Sequence, residues 1–337
     1  MDDTVIMNRD RGNWYKGNLH CHSTESDGSI PPAEIARMYR EKGYSFLAFS
    51  EHETYSHHAE FNAPGFLVIP AIERSVSTKD AGRAACCYHL HGIWGGLSEI
   101  PVHGTRISVP VWVGPQTAQS IIDQLHTDGY MAMFNHPVWS RNNYRHLEQV
   151  DGYFAVEVYN HGCEEENRTG HSEPHWDHVL RLGRKVWGVA TDDNHNRNAY
   201  GETPRDWDSF GGWVMVNAPE LTCSAVAEAL RDGRFYSSTG PEIYEYGVRD
   251  VPAFGERASG REGKASEVYV ECSPASRVYF LTYPGRGYSR RDPHGGTLTT
   301  ATYRLKGDEQ YVRAEVVDAT GKVAWTNPVF FDGRGHR

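Results

Sequence analysis

The first residues that could carry out chemistry are two histidines, His20 and His22, in the segment NLHCHSTESDG. In an extended segment alternate side chains point to the same side, so both imidazoles can reach one ion. Neutral imidazole is a common metal ligand, and the chain contains 18 histidines. Asp27 follows in a Ser-Asp-Gly turn that can fold its carboxylate back towards the pair. Together these residues predict a metal site near the start of the chain.

Acidic residues and histidines recur at the ends of predicted strands. Apolar runs typical of buried strands cover 45–50, 66–72, 86–93, 130–135, 153–160 and 186–191, and helical patterns cover 117–129 and 175–183. The polar residues at or near the strand ends are His52, Glu73, His89, His136, Asp193 and His195. Alternating strands and helices predict a parallel sheet, and functional residues gather at the carboxyl ends of the strands of an α/β barrel. We therefore expect these side chains to meet.

Nine candidate ligands emerge in this way, all with nitrogen or oxygen donors. They are His20, His22, Asp27, His52, Glu73, His89, His136, Asp193 and His195. One ion takes about four to six ligands, so nine predict two or three divalent ions. Imidazoles mixed with carboxylates suit zinc, manganese or iron. Cys21 should point away from its two histidine neighbours and is not an expected ligand.

These segments, taken in order, resemble a known family. NLHCHSTESDGSIPPAEI, SEHE, PAIE, YHLHG, FNHP and TDDNH resemble the motifs of the PHP (polymerase and histidinol phosphatase) superfamily, across roughly residues 14–200. A later stretch, GGWVMVNAPELTCSAVAEALRDGRFYSSTGPEI, is similar to the barrel end of the branch that includes a carbaryl hydrolase. The resemblance implies a distorted (β/α)7 barrel, two or three bound metal ions, hydrolysis of phosphate esters, and the same nine residues as ligands.

Three positions need a choice within that resemblance. The family usually has an aspartate before the histidine of its second motif, whereas this chain has Glu51, which we expect to orient a ligand. His91 could replace His89, and Asp192 could replace Asp193. The family spacings H-x-x-G and D-x-H favour His89 and Asp193.

The predicted reaction follows from the ligands and the resemblance. A hydroxide bridging two ions would attack a phosphomonoester or a phosphodiester. The residues expected to act in catalysis are His20, His22, His52, His136, Asp193 and His195, and the expected substrate contacts are Arg74, Arg197 and Asn160. Arginine at such a site can hold an anionic substrate. The alternatives are hydrolysis of a carboxylic ester, amide or carbamate, and a metal-binding module without catalysis.

The pattern of hydrophobic and polar residues changes near residue 247. The strand–helix pattern gives way to half-exposed strands of alternating hydrophobicity with Gly and Pro between them. Such strands are typical of antiparallel sheets. We therefore predict a barrel domain over residues 1–246 and a β-sandwich-like domain over residues 247–337. The sequence does not indicate what the second domain does.

The overall composition limits the partners. A net charge of -10 argues against nucleic acid or an anionic membrane as the main partner. The N-terminal segment lacks the pattern of a signal peptide, and no apolar run is long enough to span a membrane. Six scattered cysteines without a CxxC pair favour reduced thiols. The expectation is a cytoplasmic enzyme acting on a small anionic phosphate ester, with its oligomeric state left open.

Overall fold

The computed structural model describes residues 4–80, 83–96, 98–197, 205–252 and 264–331. The strands are β1 (Thr4–Asn8), β2 (Asn13–Asn18), β3 (Phe46–Phe49), β4 (Leu67–Asp80), β5 (Arg83–Trp94), β6 (Tyr130–Phe134), β7 (Tyr153–Asn160), β8 (Trp187–Thr191), β9 (Trp213–Ala218), β10 (Phe235–Ser238), β11 (Ile243–Pro252), β12 (Lys264–Ala275), β13 (Arg277–Tyr283), β14 (Tyr288–Arg290), β15 (Leu298–Arg304), β16 (Tyr311–Val317), β17 (Val323–Thr326) and β18 (Val329–Phe330). The helices are α1 (Pro32–Glu41), α2 (Pro115–Thr127), α3 (Tyr144–Glu148), α4 (His161–Asn167), α5 (Glu173–Arg181) and α6 (Cys223–Arg231), with one 3-10 turn at Ala59–Phe61.

The chain forms two compact units. One is Trp14–Gly233, and the other combines Met1–Asn13 with Arg234–Arg337. The predicted domains, 1–246 and 247–337, stay a proposal. The compact units divide at other residues, and the first strand belongs to the same unit as the C-terminal part. Within the described residues, no helix combines the length and the apolar character needed to cross a membrane.

The unit Trp14–Gly233 is built on mixed β-structure. Its strands lie in the order β9-β2-β3-β4-β5-β6-β7-β8. The pairs β2–β3, β3–β4, β6–β7 and β7–β8 are parallel, whereas β4–β5 and β5–β6 are antiparallel. The expected parallel sheet is therefore present in part, and β5 interrupts it by pairing antiparallel with both of its neighbours. β4 continues to Asp80 and only two residues separate it from β5, while a parallel connection needs a crossover of about a dozen residues.

Amphipathic helices accompany these strands. α1 starts with Pro32 in its first turn, where the missing N–H costs nothing, and buries Ile35, Ala36 and Tyr39. α2 likewise starts at a proline and buries Ile121, Ile122 and Leu125. The helices predicted over 117–129 and 175–183 thus correspond to α2 and α5. The mixed α/β class is confirmed, while the closed seven-strand barrel stays a proposal.

The C-terminal unit is β-rich, as predicted. One antiparallel sheet has the order β1-β11-β12-β15, and a second contains β14-β13-β16-β17-β10 with β18 beside β16. Burial alternates along β13, the pattern of a strand with one face in a core. The Tyr246 hydroxyl of the first sheet donates to the Val312 carbonyl of the second at 2.9 Å, so the two sheets are in contact.

Candidate metal centre

Backbone pairing beyond the strands places the HxH and DxH segments side by side. The amide N–H of His22 donates to the carbonyl of Asn194 at 3.0 Å, and that of Asp193 donates to the carbonyl of His20 at 2.9 Å. Asp193 has a φ of 53°, a left-handed conformation that aspartate tolerates and that concentrates at functional sites. The loops after β2 and β8 are therefore fixed against each other.

Two further backbone contacts bring in the remaining elements. The N–H of Glu53 donates to the carbonyl of Glu73 at 2.8 Å, which joins the loop after β3 to β4. The N–H of Asn135 donates to the carbonyl of His89 at 3.0 Å, which joins the loop after β6 to β5. Glu73 and His89 lie inside long strands, so the sequence-based placement of Glu73 at the end of a strand is corrected.

Three groups of side chains hold their ligand atoms within 4.8 Å of one another. The inner group is His20, His22, Glu73 and Asp193; the middle group is His52, Glu73 and His89; the outer group is His22, Asp27, His52 and His195. His22, His52 and Glu73 each belong to two groups. Eight of the nine predicted ligands therefore converge. The ninth, His136, has its Nε2 3.5 Å from Glu73 Oε1 and 3.7 Å from Asp193 Oδ2.

The inner group has the spacing of four ligands around one ion. The Nε2 atoms of His20 and His22 are 3.1 Å apart, and they lie 3.0 and 3.2 Å from Asp193 Oδ1. The same two atoms lie 3.4 and 3.3 Å from Glu73 Oε2. Ligand atoms about 2.1 Å from a tetrahedral ion are about 3.4 Å from one another. A divalent ion therefore fits between these four atoms.

Two carboxylate oxygens in the inner group have unmet bonding capacity. Glu73 Oε2 and Asp193 Oδ1 are buried and make no hydrogen bond of suitable geometry with any described residue. Leaving a buried charged oxygen without a partner is costly. A cation at the centre of the group would satisfy both oxygens at once.

The middle group shares Glu73 with the inner group. His52 Nδ1 is 3.2 Å from Glu73 Oε2, and His89 Nδ1 is 3.1 Å from Glu73 Oε1. Asn135 donates to the same Oε1 at 2.6 Å. Both oxygens of Glu73 therefore lie close to candidate ligand atoms, and its carboxylate could be shared between two ions.

The outer group is the most exposed of the three. His195 Nε2 is 3.3 Å from Asp27 Oδ1, and His52 Nε2 is 3.7 Å from Asp27 Oδ2. Arg197, half-exposed, forms an ion pair with Asp27. A partly exposed cationic side chain, paired with a carboxylate, therefore lies beside the outer group.

Buried carboxylates control the protonation of the histidines. Burial lowers the pKa of His20, but the charges of Asp193, Glu73 and Glu157 outweigh it and raise the pKa well above its ordinary value. Burial acts in the same direction on His22, but the nearby carboxylates of Asp193 and Glu73 outweigh it and raise its pKa to about 9. In the metal-free protein these rings take up protons that a bound ion would displace.

Two other rings remain neutral. Burial lowers the pKa of His52 to about 4, against the opposing charge of Glu73. Burial, together with the neighbouring His20, also holds the pKa of His91 well below its ordinary value. Glu73 stays ionised, because His20 and the other histidines around it outweigh burial and hold its pKa well below its ordinary value.

Glu157, which the sequence did not single out as a site residue, orients the inner group from behind. It is fully buried in β7, and its Oε1 accepts from His20 Nδ1 at 2.9 Å and from the Thr191 hydroxyl. Its Oε2 accepts from the His136 backbone N–H at 2.8 Å and from Asn160 Nδ2 at 2.9 Å. With the proton held on Nδ1, the Nε2 lone pair of His20 is free to bind an ion.

Replacing Glu157 by glutamine is expected to weaken metal binding by about 10–100-fold, the usual cost of losing the partner of a ligand. Both oxygens of Glu157 now accept hydrogen bonds, whereas glutamine would place an NH2 group, which only donates, against one pair of these donors. Metal titration of the chelated protein measures the affinity. Glu165→Gln, on the exposed side of α4, is the matched control and should bind as the wild type does. An unchanged metal affinity in Glu157→Gln would rule out this positioning role.

The structure places the two alternative ligands outside the three groups. Asp192 accepts from the Tyr39 hydroxyl at 2.7 Å and from the backbone N–H groups of residues 210–212 at 2.8–2.9 Å. His91 accepts from Asn135 at 3.2 Å, and its ring packs edgewise on that of His20. Both side chains lie behind the site, a placement that favours Asp193 and His89 as the ligands.

Glu51 holds the loop that carries Asp27. Its carboxylate accepts from the backbone N–H of Ser23 at 3.0 Å and from the hydroxyls of Ser23 and Ser26. Its side chain, longer than that of aspartate, reaches the loop after β2, where it fixes the backbone four residues before Asp27.

The three predicted substrate contacts have protein partners. Arg74 is buried and its guanidinium donates to Glu53 Oε2 at 2.5 Å, whereas Arg197 pairs with Asp27. Asn160 is buried and donates to Glu157 and, at 3.0 Å, to Asp193 Oδ2. Their roles towards a substrate stay predictions, and Arg197 is the one that lies partly in solvent.

Comparison with known proteins gives similarities of structure only. No protein-family profile and no curated protein matches the chain. A two-domain protein from Bacteroides vulgatus, containing a predicted PHP-like metal-dependent phosphoesterase, is 15% identical with a TM-score of 0.47 over 98% of both chains. A candidate metal-dependent phosphoesterase from Bifidobacterium adolescentis is 15% identical, with a TM-score of 0.37 over 53% of this chain and 87% of its own.

A third similar structure is an amidohydrolase from Chromobacterium violaceum with bound sulfate and no metal. It is 16% identical, with a TM-score of 0.39 over 53% of this chain and 87% of its own. The protein from Bacteroides vulgatus carries the name of the superfamily that the sequence motifs resemble. None of the three is named a carbaryl hydrolase, and that branch stays a prediction.

Proposed function

We propose that this protein is a metal-dependent hydrolase of the PHP type that cleaves phosphate esters. Two or three divalent ions would be held by His20, His22, Asp27, His52, Glu73, His89, His136, Asp193 and His195. The observation that carries the proposal is the inner group, whose four donor atoms lie 3.0–3.4 Å apart across five of their six separations. Two of those atoms are buried carboxylate oxygens without hydrogen bonds among the described residues.

The donor set favours zinc, manganese or iron. All nine side chains offer imidazole nitrogen or carboxylate oxygen, which these metals accept. Cys21 is fully buried, and burial raises the pKa of its thiol well above the ordinary value. It therefore remains a thiol, which is a poor metal ligand.

Ions held in this centre would activate water for attack and neutralise charge that develops on the substrate. The protein supplies the orientation. Glu73, placed between the inner and middle groups, would fix the spacing of their ions. Glu157 keeps the Nε2 atom of His20 free for binding. The rings of His52 and His195 are 27% and 22% exposed, so they face the side from which substrate enters.

The charge distribution at the open side favours an anionic substrate. Arg197 is 51% exposed beside Asp27, and its guanidinium could contact a phosphoryl oxygen as well as the carboxylate. Trp139 lies near the opposite rings, with centroids 5.8 Å from that of His89 and 5.1 Å from that of His136. The site therefore offers positive charge and an apolar wall, which suits a phosphate ester with an organic group.

A direct assay tests the proposed reaction. Purified protein, loaded in turn with zinc, manganese or iron, is assayed with p-nitrophenyl phosphate, bis(p-nitrophenyl) phosphate and a naphthyl carbamate. We expect turnover of one or both phosphate esters, and loss of metal and turnover together in His22→Ala. His171→Ala, an exposed histidine outside the three groups, is the matched control. Activity confined to the carbamate would contradict the phosphoesterase assignment, and stoichiometric metal without any cleavage would contradict the assignment as an enzyme.

A further inference from the structure

We infer that Glu25, His58 and His103 form a separate site for a single zinc ion, outside the nine residues of the metal centre. Glu25 lies in the loop after β2, His58 directly precedes the 3-10 turn at Ala59–Phe61, and His103 lies in the loop between β5 and α2. We call these three residues the loop triad. Their ligand atoms lie within 4.8 Å of one another.

The spacing within the loop triad matches that of ligands on one ion. His58 Nε2 is 3.3 Å from Glu25 Oε2, and His103 Nε2 is 3.3 Å from Glu25 Oε1. Ligand atoms on a tetrahedral zinc ion are about 3.4 Å apart. Two histidines and one glutamate, with a fourth position for water, are also a known zinc ligand set.

A buried histidine nitrogen without a hydrogen bond points into this site. The His58 side chain is only 5% exposed, and its Nε2 makes no hydrogen bond to any described residue. Glu25 Oε2 is buried in the same way and is likewise without a hydrogen bond among those residues. Since buried polar atoms are rarely left unsatisfied, their juxtaposition indicates a missing ligand between them.

The surroundings fix His58 in the orientation that a ligand needs. Its Nδ1 lies 2.8 Å from Glu60 Oε1, so Nδ1 carries the proton and the Nε2 lone pair faces Glu25. The rings of Phe49 and Phe61 pack on the imidazole at 5.0 and 5.1 Å. Arg106 donates to the backbone carbonyl of Glu25 and not to its carboxylate. The two carboxylate oxygens therefore face the two histidines of the loop triad.

His103 must change its tautomer to bind zinc through its Nε2 atom. Its Nδ1 accepts from the backbone N–H of His57 at 3.1 Å, which places the proton of the neutral ring on Nε2. Zinc at Nε2 would move that proton to Nδ1 and break the bond to His57. The His103 ring is 35% exposed, so water can take over the freed N–H at small cost.

An ion in the loop triad would tie three loops together. One of them carries Asp27, two residues beyond Glu25, so the site would stabilise the loop that supplies the outer group. This role is independent of the proposed phosphoesterase reaction.

Zinc stoichiometry tests the inference. Full-length wild-type and variant proteins are stripped with a chelator, reloaded with zinc, desalted, and measured by inductively coupled plasma mass spectrometry. We expect His103→Ala and Glu25→Gln each to hold one zinc equivalent fewer than the wild type. His57→Ala, an adjacent histidine outside the triad that keeps its backbone N–H, should hold the wild-type amount. Turnover by His103→Ala should equal that of the wild type.

The outcome separates this site from the metal centre. His22→Ala should lose zinc from the centre, and adding His103→Ala to it should remove one further equivalent. Equal zinc contents in wild type, His103→Ala and Glu25→Gln would overturn the loop triad as a metal site and leave the proposed reaction untouched. Failure of the proposed reaction would instead appear as absent turnover in the wild type, whatever the triad binds.

Discussion

Replacing Glu73 by glutamine is expected to lower kcat/KM by more than about 100-fold, because loss of even a ligand's hydrogen-bonding partner costs 10–100-fold. Glu73 is the one carboxylate shared by the inner and middle groups. Glutamine keeps the size but removes the charge that faces the histidines. The ions of both groups should bind weakly, so metal content falls together with activity.

The control for this variant separates chemistry from folding. Glu165→Gln makes the same chemical change on the exposed side of α4 and should keep full activity. Far-UV circular dichroism and thermal unfolding of Glu73→Gln should show a folded protein. A folded Glu73→Gln protein with wild-type metal content and turnover would exclude Glu73 as a bridging ligand.

Removing the metal ions is expected to make stability depend strongly on pH between about 6.5 and 9. In the metal-free protein the pKa of His22 is raised from 6.5 to about 9, and the pKa values of His20 and His89 are raised as well. A histidine with a raised pKa stabilises the fold fully below its unfolded pKa. That stabilisation is lost as the pH rises through the folded pKa.

The other titrating histidines act outside this window. His52 and His91 have lowered pKa values, so they cost stability only as the pH falls below about 6.5. His22 alone contributes about 3 kcal/mol to the free energy of unfolding at the acid end. The Tm of the chelated protein should therefore fall by on the order of 10 °C between pH 6.5 and pH 9.

Metal-loaded protein should behave in the opposite way. Binding requires deprotonated imidazoles, so it strengthens as the pH rises, and the bound ions keep the fold stable. Differential scanning calorimetry of chelated and loaded protein in parallel measures the gap in Tm. A gap that stays constant or narrows from pH 6.5 to pH 9 would show that the histidines do not bind ions in this way.

The sequence could indicate the candidate ligands because strand periodicity places polar residues at definable points. His20 and His22 alternate in an extended segment, and His136, Asp193 and His195 lie two to four residues beyond the ends of buried strands. Parallel strands then bring such ends together without knowledge of side-chain contacts. The mixed α/β class and the β-rich C-terminal part follow from the same periodicity.

Other features depend on tertiary contacts that the hydrophobic periodicity of the sequence does not reveal. Glu157 sits in an apolar strand, and only the position of His20, 137 residues away, reveals its task. The sequence did not reveal the antiparallel pairing of β4 with β5, because two apolar runs separated by polar residues also fit a parallel connection. Glu25, His58 and His103 lie in loops without regular spacing. The pairing of β1 with β11 likewise joins the N-terminal segment to a strand that lies far away in the sequence.

Anomalous X-ray scattering from crystals of the metal-loaded protein tests the central claim most directly. We expect two or three strong anomalous peaks among the nine ligands, one of them between His20, His22, Glu73 and Asp193. The Nε2 atoms of His20 and His22 should lie about 2.0–2.1 Å from that peak if the ion is zinc. A crystal of fully loaded, active protein with no anomalous peak between these four side chains would contradict the claim.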